Sequence, residues 1–271
     1  MADYSLIPFG LHQSDQQFVD VSEVQRGSKC GCICPSCSTP LIARQGEVNV
    51  WHFAHLSKNV SHETKRKCEY SFWVSVTLMA KQVITKAKHI NLPSLKMYLN
   101  DAREVVITES HKVTIDKVEL EKSKNNIYAD AVITVGKYFI LVIFTAPHKQ
   151  LHFDPSEANK SNNSGVLEIS LAKAYMWFFG TQKKGKYTQI IENNILFSQE
   201  DKRWLYHPRS KIIEEKNNVE LYLNKPSDNS ASYIKRESQK YKCLACEAQW
   251  HGDHICPKCN THLYSIKATE I

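Results

Sequence analysis

The stretch Ile127–Thr145, IYADAVITVGKYFILVIFT, decides the fold class. Two runs rich in β-branched and aromatic residues, Ile127–Val135 and Tyr138–Thr145, meet at Gly136, the pattern of an antiparallel hairpin. The unbroken YFILVIF has no polar face to offer solvent, so it suits a central strand covered on both sides. Working outward, Val105–Thr108 and Val113–Leu120 read as strands before the hairpin, and Val166–Leu171 as a buried strand after it. Further upstream, Phe72, Val76, Met79, Val83 and Ala87 recur at steps of three or four, which predicts an amphipathic helix from about Tyr70 to Lys88. Pro93 then marks a break. Helices are expected around Leu171–Phe179, Tyr187–Asn193 and Arg209–Lys216, with KRWLYHP between the last two. The order is that of a mixed α/β domain.

At 271 residues, 42% hydrophobic and 23% charged, the chain can bury a substantial core, and disorder as its dominant state is excluded. Its longest apolar run, Tyr138–Phe144, is too short to cross a bilayer. MADYSLIPFG carries no basic leader or long apolar segment, so a cytoplasmic protein is expected. The net charge of +7 is uneven. Between Leu56 and Asn100 eight lysines and arginines face only Glu63 and Glu69, as on a surface that meets nucleic acid or on a solvated helix with a basic loop before it. On the first reading, Lys58, Lys65, Arg66, Lys67 and Lys81 are the expected DNA contacts.

The nine cysteines of a chain without an export signal point to metal or free thiols rather than disulfides. Cys243-Leu-Ala-Cys246 and Cys256-Pro-Lys-Cys259, nine residues apart, have the spacing of a zinc ribbon. A thioredoxin-like redox site would need only one such pair, on a βαβ unit. Nearer the N-terminus, Cys34-Pro-Ser-Cys37 is followed after fourteen residues by His52-Phe-Ala-His55, a Cys2His2 finger set with two short strands between, turning near Gly46. Two structural zinc ions are therefore expected. Cys30, Cys32 and Cys68 are left over as buried thiols, alternative ligands or part of another site.

The expected organisation is a strand-poor lead-in with the finger over residues 1–68, an α/β domain over 69–224, a polar linker over 225–240, and the ribbon over 241–271.

The segment Arg26–His55, RGSKCGCICPSCSTPLIARQGEVNVWHFAH, resembles the N-terminal finger of the competence protein CoiA-like family, with its CPxC, PL(I/V)xRxG and HFAH elements. The likeness continues through LMAKQVI at 78–84, LP at 92–93, the strand around Asp130, Leu167-Glu168-Ile169, and KRWLYHP at 202–208. It implies a PD-(D/E)xK nuclease-like domain, and a helix leading into an antiparallel hairpin and a further strand is compatible with a restriction-endonuclease-like core. In such a site carboxylates hold Mg2+, which orients and acidifies the attacking water. The resemblance places the family's helical Glu, His and Lys at Trp73, Thr77 and Lys81, its strand Asp at Asp130, its strand Glu at Ile143 and a later Asp at Ser170, beside Glu168. Only Lys81, Asp130 and Glu168 keep the chemistry. The expectation is a DNA-metabolism accessory protein, in a competence, recombination or defence setting, whose nuclease-like core binds DNA, a protein partner, or both, and does not cut. Its rivals are an active Mg2+-dependent nuclease that recruits Glu168 or Asp154, and a zinc-ribbon scaffold in a multi-subunit complex.

Overall fold

The computed structural model describes residues 6–56, 72–124, 126–147, 149, 151, 153–154, 158, 163–180, 184–223, 240–243, 246–251, 257–258 and 265–267. It divides into two units, Met1–Lys225 and Pro226–Ile271.

The lead-in carries more strand than its sequence pattern suggests. β1 (Phe9–His12) pairs antiparallel with β2 (Phe18–Asp20) and with β3 (Cys32–Ile33). β4 (Leu41–Arg44) and β5 (His52–His55) form the hairpin of the Cys/His segment, so HFAH itself supplies the returning strand. Isolated bridges Ile7↔Phe53, Gly27↔Ala43 and Ile33↔Pro40 stitch these pieces together. Phe9, Leu41 and Phe53 are fully buried between them. Gly10 is needed here, since a Cβ would lie 3.1 Å from both Cys32 and Leu41.

Helix α1 (Phe72–Lys86) follows the predicted period and buries Phe72, Val76, Met79, Ala80 and Val83. It packs against β1 and β2 and also against the main sheet, so it joins the lead-in to the α/β core. The Gln82 side chain acts as an extra strand edge: its Oε1 accepts from Phe18 N at 2.8 Å and its Nε2 donates to Phe18 O at 2.7 Å. Two small antiparallel pairs come next. β6 (His89–Leu92) pairs with β9 (His111–Thr114), and β7 (Leu95–Tyr98) pairs with β8 (Glu104–Thr108). Pro93 lies at the break between β6 and β7.

The core is a five-stranded sheet of β10 (Lys117–Lys124), β11 (Ile127–Val135), β12 (Tyr138–Thr145), β13 (Ser164–Ser170) and β14 (Lys202–Tyr206), in that spatial order. β11 and β12 have the bounds the alternation predicts, and Gly136 turns the hairpin at a φ of +57°. The Asp116 carboxylate accepts from the Gly136 amide at 2.6 Å. β12 is central and almost wholly buried, as YFILVIF demands. Its partner β13 runs parallel, reached by a long crossover, and the other pairs are antiparallel.

One strand expectation needs correction. Val113–Leu120 is not one strand: it breaks at Ile115–Asp116, where the chain leaves β6 and takes up β11 as its partner. The first five residues of KRWLYHP, between the two helices, form β14.

Short helices α2 (Ala174–Phe179) and α3 (Tyr187–Glu192), the latter continued by a wide π turn over Asn193–Phe197, precede β14, and α4 (Pro208–Asn217) follows it. Phe178 and Tyr187 join Phe9 and Phe72 in an aromatic cluster with centroids 5.1–5.9 Å apart. Each fully buried ring contributes roughly 1.5–3 kcal/mol relative to an exposed one. Asp20 fastens the same junction: its carboxylate accepts from Ser22 N at 2.7 Å, from Thr188 N at 3.0 Å, and from Tyr187 N.

In the second unit, β15 (Lys240–Cys243) is flanked by β16 (Gln249–His251) and β17 (Ser265–Lys267), all antiparallel, with Tyr241 stacked on Trp250. Among the described residues no helix is long and apolar enough to cross a membrane.

Candidate metal centre and the surroundings of Asp130

Cys34 ends the run after β3, and Cys34-Pro-Ser-Cys37 folds into a tight knuckle. Ser38 N donates to Cys34 O at 2.8 Å and Cys34 N donates to Thr39 O at 2.9 Å, with Ser38 at a φ of +57°. The knuckle brings the Cys34 and Cys37 sulfurs toward His55 at the end of β5, and the three ligand atoms all lie within 4.8 Å of one another. Burial pushes the His55 imidazole below its usual pKa, which favours the neutral ring that binds metal. Two thiols and one imidazole suit zinc, so Cys34, Cys37 and His55 could hold it.

His52 is not part of this group. Residues three apart on a strand lie on opposite faces, and β5 is a strand throughout. His52 instead pairs across the hairpin with Arg44, and its Nδ1 lies 2.9 Å from Val50 O. Of the leftover cysteines, Cys30 and Cys32 are buried core thiols. Cys30 Sγ donates to Leu41 O at 3.1 Å, and Cys32 Sγ to Cys30 O at 3.5 Å. Cys68 lies outside the described residues. In the second unit Cys243 closes β15 and Cys246 follows in the turn toward β16, whereas Cys256 and Cys259 lie outside the described residues.

Asp130, to which the resemblance assigns a strand carboxylate, is 2% exposed. The β11–β12 ladder runs as far as Ala131↔Val142, and beyond it the Asp130 carboxylate takes the Phe144 amide at 2.8 Å. Lys149 Nζ donates to both its oxygens, at 2.7 and 2.6 Å, and Lys81 Nζ stands 3.2 Å from Oδ1. Lys81 also donates to Glu121 at 2.9 Å. Burial works against the Lys81 charge, but the Asp130 and Glu121 carboxylates outweigh it and hold its pKa above the usual lysine value. Lys81 therefore serves an internal ion pair rather than an open phosphate-binding surface.

The remaining family positions are spent on packing and local bonds. Trp73 is buried edge-on against Phe72, with centroids 4.8 Å apart. Thr77 Oγ1 donates to Trp73 O at 2.9 Å within the helix. Ile143 is buried in β12, and Ser170 Oγ accepts from Ala172 N at 3.3 Å. Glu168, beside Ile143 in the parallel register, accepts from Thr145 Oγ1 at 2.7 Å and from Arg203 Nε. Asp154 is exposed in the crossover. Lys58, Lys65, Arg66 and Lys67 lie outside the described residues. Lys149 was missed by sequence reasoning: it lies nineteen residues beyond Asp130, outside any motif that would have marked it.

Residues 16–71, which include the knuckle and the β4–β5 hairpin, match the family described as Competence protein CoiA, N-terminal domain. Over those residues the chain is similar to the CoiA N-terminal domain. No curated protein and no solved structure matches the chain. The CoiA match contains all three residues of the Cys/His group, and it ends before α1, so it does not extend to the Asp130 position.

Proposed function

We propose that this protein is a competence-related DNA-metabolism accessory factor whose nuclease-like core binds DNA, a protein partner, or both, and does not cleave. One observation carries the reading: the Asp130 carboxylate is already closed by Lys81, Lys149 and the Phe144 amide. Mg2+ is held by oxygen ligands, commonly one or two carboxylates together with waters and substrate phosphates. Here a cation would have to displace two ammonium groups from the Asp130 carboxylate. Ile143 and Trp73 offer it no ligand, and both oxygens of Glu168 are engaged. An in-line hydrolysis needs the metal to set and acidify the water, and nothing in this arrangement replaces it.

The Cys34, Cys37 and His55 group supports a structural zinc in the CoiA domain. The hairpin of β15 and β16, with Cys243 at its base and Cys246 in its turn, supports a second zinc bound with Cys256 and Cys259. When bound, the metal supplies folding energy to segments too small to fold on their cores alone. The basic stretch after His55, with Lys58, Lys65, Arg66 and Lys67, supplies charge for phosphate contacts.

The test is incubation of the purified chain with supercoiled plasmid and with labelled single- and double-stranded oligonucleotides in Mg2+ or Mn2+. No cleavage is expected. Cleavage that disappears in Asp130→Ala would make the chain a nuclease and overturn the proposal.

A further inference from the structure

The structure assigns a phosphate clamp to Arg26 and Arg44 on the outer face of the CoiA domain, with the sugar–phosphate backbone of a nucleic acid as its ligand. This inference rests on the DNA-binding part of the proposed function and names a surface for it.

Register places the residues. Gly27 and Ala43 exchange backbone hydrogen bonds of 2.9 and 3.1 Å as an antiparallel bridge, so Arg26 comes opposite Arg44. Arg44 is in turn the cross-strand partner of His52. Arg44 and His52 lie on the face of the hairpin opposite buried Ala43 and Phe53, and Arg26 lines the same cavity from the adjacent segment. Both arginines are exposed, and among the described residues neither makes an ion pair or a side-chain hydrogen bond. Two like charges lining one cavity repel, so the arrangement favours an anion between them.

The same face is concave. Arg26, Arg44 and His52 line a cavity of about 520 Å³ whose wall includes Gly27 and Gly46. A Cβ at either glycine would meet nothing within 4 Å, so bare backbone borders open space there. Backbone without side chains lets a ligand approach closely. Paired guanidinium forks are the side chains best matched to phosphate oxygens, which they bind bidentately. An exposed basic notch of this shape suits a phosphodiester strand passing through it.

The experiment is fluorescence anisotropy of the full zinc-loaded chain with a labelled duplex of about 20 base pairs, across a salt series. Relative to wild type, R26S/R44S should bind more than about tenfold more weakly, and its slope of log affinity against log salt should be shallower by roughly two. R26K/R44K should keep the slope, since it keeps the charge. R103S removes an exposed arginine that is paired with Asp101 elsewhere, and should leave binding unchanged. Equal affinity and slope in wild type and R26S/R44S, with unchanged melting, would refute the clamp while leaving DNA binding in place. A wild type that binds neither duplex nor single strand at low salt would remove the DNA-binding reading and the clamp with it. Thermal stabilisation of that non-binding wild type by inorganic phosphate, lost in R26S/R44S, would assign the notch to a free phosphate ligand and overturn the nucleic-acid assignment.

Discussion

Replacing Asp130 by Asn preserves the shape of the side chain and an acceptor for the Phe144 amide, but removes the charge that Lys81 and Lys149 share. The carboxylate is 3% exposed, Lys81 12% and Lys149 36%. Breaking a buried ion pair by removing one partner costs about 3–5 kcal/mol, because the other charge is left uncompensated. Two features move Asp130→Asn to the low end of that range. Lys149 is solvated over a third of its surface, and Lys81 keeps Glu121 at 2.9 Å. The expected loss is therefore about 3 kcal/mol. For a domain of this size, with a shift of about 2–4 °C per kcal/mol, the melting temperature should fall by roughly 6–12 °C. Thermal melts followed by tryptophan fluorescence, with urea titrations as a second readout, measure it. Asp130→Asn combined with Lys149→Met should recover about 1 kcal/mol, since one stranded ammonium has gone. A true metal site behaves otherwise: about 10 mM Mg2+ acting on a site of about 1 mM affinity would stabilise wild type by ~1.4 kcal/mol. An Asp130→Asn variant as stable as wild type, together with a Mg2+-dependent rise in the wild-type melting temperature, would refute the reasoning.

Metal analysis of the purified chain should return about two zinc ions per chain, one in each small Cys-rich module. Cys37→Ser or His55→Gln should lower that by one and destabilise the N-terminal Cys/His segment, whereas His52→Gln should leave the content unchanged, and equal loss in both histidine variants would put His52 in the site. Lys202 is 6% exposed and burial pushes it down to about 7, from an ordinary 10.5. Between those values the unfolded chain holds the proton that the folded chain has released, so this residue makes stability rise with pH from about 7 and level off near 10.5. Urea titrations at about pH 7 and pH 9 should show that rise, and Lys202→Met should flatten it, with an unchanged slope counting against the assignment.

The parts of the fold that could be read from sequence are those in which local pattern and final environment agree. The β11–β12 hairpin has alternation, an apolar centre and a glycine where φ must be positive. Helix α1 has a continuous apolar stripe that meets both the lead-in sheet and the core. The parts that escaped are short and defined by partners distant in sequence. β1 is four residues long and is completed by β2 on one side and β3 on the other. β14 places Lys202 inside the protein, where a lysine argues against a buried strand. Its amino group donates to the Asn91 and Leu196 carbonyls at 2.8 and 3.2 Å. Asn91 is 111 residues away, so no local window contains that acceptor.

The site divides along the same line. The CPxC spacing marks Cys34 and Cys37 because a knuckle is a local turn, and Ser38 and Thr39 complete it within two residues. HxxH is different, because the spacing has meaning only once the backbone is known. On a helix, positions i and i+3 share a face, but on a strand they are on opposite sides. The finger spacing assumes that both imidazoles reach the metal. The structure makes His52–His55 the returning strand of the hairpin, paired residue by residue with Leu41–Arg44. Once that register is set, the two histidines must separate. His55 goes to the sulfurs of Cys34 and Cys37, and His52 goes to the cavity shared with Arg44 and Arg26. One alternation thus produces both the three-donor group on one side of the hairpin and the cationic notch on the other, so a substitution that flips the register of β5 by one residue would disable both together.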